Sequence, residues 1–222
     1  MSDKIGVCIP LVDRRVESDF FLSFIELELP PGVESKIYTP HFPNGFPHEI
    51  AQARNNLIWQ ALKDECTHVI MMDTDQVHPP DTITRLYNLD KDIAAGVVHR
   101  RYPPFDPIFY MGTPSTYTHV NDDEVYSGDV IKVDATGCGC VMFKAEVLKK
   151  MPAPWFKLDT NEKGELVGED IYFFSKAREA GIEIHVDTGL WIDHISTFRV
   201  NRATYELFKK FKNFSFKPEK GE

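Results

Sequence analysis

Apolar positions in the first half of the chain alternate between short continuous runs and helical spacing. The continuous runs predict buried strands, and the helical spacing predicts amphipathic helices. Strands are expected at 5–9, 35–38, 67–72 and 92–98, with helices between them at 17–28, 48–63 and 79–88. This alternation indicates an α/β fold with a mixed, mostly parallel sheet flanked by helices.

The second half has a different pattern. Residues 99–129 are rich in Pro, Tyr, Asp and Thr, which predicts loops and short strands. Further strands are expected at 130–134, 140–143 and 182–186, with an apolar segment at 190–194 just beyond the last, and helices are expected at 144–150 and 168–180. A basic helical tail is expected from about residue 199. Because no repeat or linker divides residues 1–222, the sequence predicts one domain.

Composition limits which cellular compartment and which partners are expected for this chain. The 222 residues are 42% hydrophobic, which suffices for one full core, and the formal net charge of −9 argues against a nucleic-acid binder held by its whole surface. Four scattered cysteines lack the spacing of a structural zinc site and fit reduced thiols in the cytoplasm. No apolar run approaches about 20 residues, so no membrane span is predicted.

Two aspartates follow the predicted strand at 67–72. Asp73 and Asp75 would emerge at the carboxyl edge of the sheet, where open α/β folds bind ligands. Two carboxylates there can hold a divalent cation, and the cation can hold a phosphate. The alternative is a turn or helix-capping pair. Asp-x-Asp alone is a weak motif, since Asp90-Lys91-Asp92 repeats it before a strand and fits a solvated turn.

Histidine and carboxylate residues late in the chain complete the candidate chemistry. His194 follows an apolar segment and could add an imidazole to a Mn²⁺ site. Glu169 and Asp170 begin a predicted helix, where acidic residues are ordinary capping partners. The functional alternative makes Asp170 a general base for an acceptor hydroxyl, held in place and kept charged by the helix N-terminus.

Three other features could contribute to binding. Arg54, inside the predicted helix at 48–63, is a surface cation or reaches a nucleotide diphosphate. The loop at 40–47 could line a base pocket. Gly137 and Gly139 do not have the spacing of a phosphate-binding loop and would allow close backbone approach to a sugar or acceptor.

The order of these motifs resembles that of GT-A-fold, Rossmann-like glycosyltransferases, especially small family 2-like enzymes of bacteria and phages. The resemblance covers about residues 4–198. The motifs that carry it are Ala53-Arg-Asn-Asn-Leu, Asp73-Thr-Asp75, Gly137-Cys-Gly139, Gly168-Glu-Asp170 and Asp193-His194. Each motif is short, and their order supplies the specificity.

The resemblance implies a nucleotide-diphosphate-sugar donor, with a UDP-sugar favoured, and Mn²⁺ or Mg²⁺ as cofactor. By motif match Asp75 and His194 would ligate the metal, while Asp73 would contact the ribose or a metal-bound water. Asp170 would be the base of an inverting transfer, and Glu169 would bind the acceptor or donor sugar. A retaining transfer, which needs no base at Asp170, is the main rival.

The chain also departs from the family pattern. Pro10-Leu-Val-Asp13 follows the first strand in place of the common Thr/Ser-Tyr-Asn, which puts base recognition in doubt, although Asp13 could still contact a base. A Gln-x-x-Arg-Trp motif is absent from the sequence, and this favours a soluble single-transfer enzyme over a processive synthase.

Other functions and several acceptors stay open. Asp73 could be the nucleophile and Asp75 the general acid of a haloacid-dehalogenase-like phosphatase. A non-catalytic nucleotide-sugar-binding module is the third hypothesis. The acceptor could be a saccharide, a protein, a small molecule or hydroxymethylated DNA, since Arg100, Arg101 and the basic tail could track a phosphate backbone. A solvated tail helix is the preferred interpretation of those tail charges.

Overall fold

The secondary structure follows the predicted alternation. The computed structural model describes residues 2–12, 15–41, 49–114, 116–160, 164, 166–197 and 202. The strands are β1 (Lys4–Cys8), β2 (Glu34–Tyr38), β3 (His68–Met72), β4 (Gln76–Val77), β5 (Ile93–Val98), β6 (Phe109–Met111), β7 (Thr118–His119), β8 (Val130–Val133), β9 (Ala135–Thr136), β10 (Cys140–Lys144), β11 (Asp159–Thr160), β12 (Leu166–Val167) and β13 (Ile184–His194). The helices are α1 (Ser18–Ile25), α2 (Ile50–Lys63), α3 (Thr82–Asn88), α4 (Asp122–Val125), α5 (Ala145–Lys150) and α6 (Glu169–Glu179).

An eight-stranded mixed sheet organises these elements. Its order is β2-β1-β3-β10-β5-β13-β4, with β8 also paired to β13. Parallel pairs join β1 to β2 and β3, and β13 to β5, whereas β10 lies antiparallel between β3 and β5. Strands β1, β2, β3, β5 and β13 therefore run in one direction. The predicted mixed, mostly parallel sheet flanked by helices is confirmed.

The core lies on both faces of this sheet. Successive side chains of β3 point to opposite faces, so Val69 and Met71 join one apolar cluster and Ile70 and Met72 join the other. The first cluster contains buried residues of α2 and α6, and the second those of α1 and α3. Helices on both faces explain why β3 is a continuous apolar run.

The chain's last strand differs from the prediction. The sequence predicts a strand at 182–186 and an apolar segment at 190–194 just beyond it, but the structure joins both in the single strand β13, with a register shift between Asp187 and Trp191. Arg85 of α3 spans this irregularity, because its guanidinium donates to both carboxylate oxygens of Asp187 and to the Gly189 carbonyl. We call these hydrogen bonds of Arg85 the clamp. They fix the backbone at the start of the segment that ends at His194.

Other expectations have plain outcomes. Residues 99–129 contain the short elements β6, β7 and α4, as the loop-rich composition indicates. All four cysteines are buried free thiols. Within the described ranges, every helix is too short or too polar to cross a membrane. Apart from Arg202, the predicted basic tail lies outside the described residues.

We predict that Arg85→Ala lowers the free energy of unfolding by about 3 kcal/mol, because Asp187 would keep a buried charge without its partner. The Asp187 side chain is only 5% exposed. Urea unfolding followed by circular dichroism measures the change. Lys132→Ala is the control, since it breaks an exposed pair with Glu183 and should cost less than about 1 kcal/mol. Equal losses in the two variants would contradict a structural role for the clamp.

Candidate active site

A cavity of about 580 Å³ opens at the carboxyl edge of the sheet. Its walls come from the segment after β1, from the residue before α1, from α2, from the aspartates after β3, and from the first turn of α6. The lining residues are Pro10, Val12, Arg15, Glu17, Ile50, Arg54, Asp73, Thr74, Asp75, Arg101 and Glu169. Cavities of about 300–1,000 Å³ suit small-molecule ligands. We call this space the donor cavity, after the nucleotide-sugar donor that the sequence predicts.

A buried arginine lies at the base of the donor cavity. The Arg54 side chain is 4% exposed, and its Nη1 donates to Glu169 Oε1 at 2.7 Å. Its Nη2 donates to both Asp73 carboxylate oxygens, at 2.9 and 3.0 Å. Burial alone would lower the pKa of Arg54, but nearby negative charge, mainly that of Asp73 with a contribution from Glu169, raises it. Arg54 is therefore a fixed cation and not a surface residue.

Asp75 meets His194 across the β13–β4 pairing. His194 pairs with Gln76 in the strand register, and the amide of Ile195 donates to the Asp75 carbonyl at 2.8 Å. This pairing places His194 Nε2 3.5 Å from Asp75 Oδ2. Two residues that lie far apart in sequence thus face each other beside the donor cavity.

A second hydrogen bond fixes the tautomer of His194. Its Nδ1 lies 2.6 Å from the backbone oxygen of His99. Because a carbonyl oxygen only accepts, Nδ1 carries a proton. Nε2 therefore faces Asp75, to which it donates when the ring is protonated, and in the neutral ring it has the lone pair that a metal ion would bind. Orientation of one imidazole nitrogen by such a bond is a common feature of metal-binding histidines.

Nearby positive charge and burial have opposite effects on the pKa of Asp75. Burial alone would raise the pKa of the Asp75 carboxyl, but the hydrogen bond and charge of His194, with Arg101, hold it below its usual value. Arg101 Nη1 lies 2.8 Å from the same oxygen, Asp75 Oδ2. The oxygen that faces His194 is therefore an anionic position that already attracts a cation.

The donor set fits a divalent cation only in part. Of the three predicted ligands, the structure brings Asp75 and His194 together, whereas Asp73 is turned toward Arg54. Among the described residues, no group of three or more His, Cys, Asp or Glu side chains could hold a metal ion. One carboxylate oxygen and one imidazole nitrogen suit Mn²⁺ better than Mg²⁺, provided that diphosphate oxygens or water supply the other ligands.

Asp170 lies in the first turn of α6, beside Glu169. Its Oδ1 accepts the Ile171 amide at 2.8 Å. The sequence predicts that the helix N-terminus keeps this carboxyl charged. Burial, aided by the nearby Glu169 charge, raises the pKa of Asp170 to about 6, because these two effects exceed the opposing charge of Arg54, and the carboxyl is then mostly ionised at pH 7. A carboxyl with this pKa is suited to take a proton near neutral pH.

The two predicted glycines both lie beside protein atoms. A Cβ on Gly139 would come within 1.9 Å of Gln76 Nε2 and 3.0 Å of Asp73 Oδ2, so the missing side chain makes room for those residues. At Gly137 the nearest atom is Ile108 Cγ2, at 3.3 Å. Gln76, which no sequence pattern singles out, is 2% exposed.

Two further expectations have different outcomes. Asp13 and residues 42–48, which include most of the predicted base-pocket loop, lie outside the described residues. The sequence suggests only a phosphate-tracking role for Arg101, yet this residue pairs with Asp75 at the edge of the donor cavity. Its position just after a predicted strand is the same signal that singles out the aspartates.

Comparisons with known proteins agree on the fold. The Anp1 family profile, which describes a glycosyltransferase-related family, matches residues 48–107, a segment that spans α2, β3 and both aspartates. The structure of A197 from STIV has a TM-score of 0.59 at 16% identity, covering 90% of this chain and 97% of that one. GalNAc-T7, solved with UDP, GalNAc and Mn²⁺, has a TM-score of 0.59 at 11% identity.

The two structural matches cover most of this chain but have low sequence identity. The GalNAc-T7 match covers 90% of this chain but 44% of GalNAc-T7. No curated protein matches the sequence. The chain has a GT-A-like fold, with a largely parallel central sheet flanked by helices.

We predict that Arg54→Met lowers the free energy of unfolding by about 3–5 kcal/mol, because it leaves Asp73 and Glu169 without their shared cation. Denaturant unfolding of Arg54→Met, Glu169→Gln and the double variant measures the coupling. The double variant should lose less than the sum of the single losses, by more than about 0.5 kcal/mol. Strict additivity would show that Arg54 and Glu169 are not energetically linked.

Proposed function

We propose that this chain is a metal-dependent glycosyltransferase that moves a sugar from a nucleotide-diphosphate-sugar, with a UDP-sugar favoured, to an acceptor hydroxyl. The observation that carries the proposal is the facing pair of Asp75 and His194 beside the donor cavity of a GT-A-like fold. The family profile over residues 48–107 supports the same class of reaction. The buried free cysteines fit a cytoplasmic location.

The donor end of the reaction depends on four charged residues. Asp75 Oδ2 and His194 Nε2 would hold the cation, which when bound neutralises negative charge on the leaving diphosphate. Arg101 lies against the same carboxylate oxygen and supplies a second positive charge at that position. Arg54 holds Asp73 in a fixed orientation, from which it can contact the ribose.

The acceptor end depends on Asp170. An ionised Asp170 would accept the proton of the acceptor hydroxyl while its oxygen bonds to the anomeric carbon and the sugar–diphosphate bond breaks. Because attack would come from the face opposite the leaving diphosphate, the anomeric carbon would be inverted. Burial of Asp170 suits this role, because a carboxyl with a pKa of about 6 is a stronger base than an ordinary aspartate and is still mostly ionised at pH 7. Glu169 would keep its ion pair with Arg54 and bind the acceptor or donor sugar.

The phosphatase hypothesis requires Asp73 as a nucleophile. In the structure both Asp73 oxygens accept hydrogen bonds from the buried Arg54, which lowers their nucleophilic character. The GT-A-like fold also favours the transferase. A non-catalytic binding module would share the donor cavity and would be recognised by nucleotide binding without turnover.

We predict a Mn²⁺-dependent rise in melting temperature with UDP, because a ligand that binds only the folded state stabilises it by mass action. A thermal-shift panel of UDP, GDP, CDP and TDP, each with Mn²⁺ or EDTA, measures this rise. Asp75→Ala and His194→Ala should abolish it, while Asp123→Asn, an exposed aspartate on α4, should retain it. Stabilisation by Mg²⁺ with beryllofluoride and by none of the nucleotides would instead favour the phosphatase.

We predict that turnover falls about tenfold per pH unit below pH 6, because the base must be ionised and the pKa of Asp170 is raised to about 6. Nucleotide release from a panel of UDP-sugars, with and without acceptor sugars, gives the rate. Asp170→Asn should lower kcat by about 10²–10⁴-fold and remove this acidic limb.

Asp123→Asn is again the matched control, since it too changes the second residue of a helix. Normal turnover in Asp170→Asn would remove the base from this position and favour a retaining mechanism. Loss of turnover in both variants would point to an effect on folding, which circular dichroism would detect.

A further inference from the structure

A second cavity, of about 280 Å³, adjoins the candidate metal site. It shares Arg101 with the donor cavity and also contains His194. We call it the aromatic pocket, after His99, Phe105 and Trp191 in its walls. Its volume is just below the range of about 300–1,000 Å³ that is typical of drug-sized ligands, so it suits a single sugar-sized ring.

Aromatic rings line one part of this pocket. Trp191 is 36% exposed, and the rings of Tyr126 and His99 stack against it, with centroid distances of 5.4 and 5.7 Å. Phe105 is 39% exposed. Stacking orders the indole ring of Trp191 before any ligand arrives, which reduces the entropy that binding would cost.

Phe105 is held in an unusual backbone conformation. Its φ of +65° lies in the left-handed region, which is sterically unfavourable for a bulky side chain. The ring nitrogen Nδ1 of His99 donates to the Phe105 carbonyl at 2.6 Å, and the amide of Phe105 donates to the Tyr102 carbonyl at 3.0 Å. Such strain persists where the surrounding structure enforces it, and it concentrates at functional sites.

His99 connects this pocket to the candidate metal site. Its backbone oxygen accepts from His194 Nδ1, while its side chain contacts both Phe105 and Trp191. A ligand that rests on the aromatic walls would therefore lie beside the residue that orients the metal-facing histidine.

The charges of the pocket favour a neutral ligand. Arg101 is paired with Asp75, and Arg100 Nη2 donates to the Tyr110 hydroxyl at 2.8 Å. Both guanidinium groups thus have partners within the protein, and Asp193 adds a negative charge to the wall. A phosphate backbone would have to compete for the arginines and approach this carboxylate.

We propose that the aromatic pocket is the acceptor subsite and that it binds a neutral saccharide through one pyranose ring. The apolar C–H face of a pyranose can pack on the Phe105 ring and against the part of Trp191 that its two stacked neighbours leave exposed, while its hydroxyls can bond to Asp193 and Ser196 at the same wall. The proposal rests on the glycosyl transfer proposed above, because it names the acceptor class of that reaction.

The test measures direct binding of neutral methyl glycosides of glucose, galactose, mannose and N-acetylglucosamine. Saturation-transfer NMR gives the dissociation constant for the full chain, with and without UDP and Mn²⁺. We expect at least one glycoside to bind, and Trp191→Leu to raise its dissociation constant about tenfold, since loss of an aromatic contact has effects of this size.

Phe105→Gly separates binding from folding. Glycine adopts a positive φ without steric cost, so this variant should keep or raise the melting temperature while it weakens glycoside binding about fivefold. A glycoside affinity that is unchanged in Phe105→Gly and in Trp191→Leu would overturn the proposal.

Trp59→Leu is the matched control. Trp59 is also exposed, at 55%, and lines a separate cavity of about 470 Å³ between α2 and β2. Glycoside affinity should be normal in Trp59→Leu. Loss of affinity there, with normal affinity in Trp191→Leu, would move the saccharide to that other cavity and overturn the proposal.

Two more outcomes would also overturn it. One is that no glycoside in the panel binds. The other is that a single-stranded oligonucleotide binds in a Trp191-dependent and salt-sensitive manner, which would indicate a nucleic-acid acceptor.

The nucleotide thermal shift of the same variants distinguishes this proposal from the proposed function. A wild-type chain that binds a glycoside at Trp191 but shows no Mn²⁺-dependent nucleotide shift would contradict glycosyl transfer and leave a saccharide-binding site. A nucleotide shift without glycoside binding would contradict only the acceptor subsite.

Discussion

The site is organised around one buried cation. Arg54 binds a carboxylate at the end of β3 with one guanidinium nitrogen and a carboxylate at the start of α6 with another. Its guanidinium also lies over the Phe156 ring, at 5.6 Å from the centroid. A charge in this position is stable only while both acids remain close. The two ion pairs of Arg54 therefore hold α2, the end of β3 and the start of α6 in one relative arrangement beside the donor cavity.

The register of the sheet has a comparable effect on the other half of the site. Because β13 continues past its irregularity and pairs with β4, His194 arrives beside Asp75. The backbone of His99, which follows β5, then fixes the orientation of the imidazole. The position of this histidine thus depends on β-pairing and on a backbone carbonyl.

The sequence predicts the strands and helices around this site better than the ion pairs within it. A continuous apolar run ending in two aspartates is enough to place Asp73 and Asp75 at the edge of a buried strand, since that pattern is local. Periodicity also locates α2 and α6. Periodicity cannot predict the ion-pair partners of Arg54, because Glu169 and Asp73 lie far from it in sequence.

Two particular residues show where local reasoning stops. The helix N-terminus predicts a charged Asp170 but not its raised pKa, because that shift comes mainly from burial, which depends on the packing of distant segments. The sequence suggests a phosphate-tracking role for Arg101, and only the fold shows that this residue pairs with Asp75. The missing side chain at Gly139 likewise makes room for Gln76, which lies on β4 and is distant in sequence.

The place of β10 in the sheet has a consequence for synthesis of the chain. Residues 140–144 fill the space between β3 and β5, which are complete long before that segment leaves the ribosome. A nascent chain that ends before residue 140 therefore presents two apolar strands with unpaired backbone groups. Such edges pair readily with other chains. The segment that closes the sheet thus also protects the growing polypeptide from aggregation.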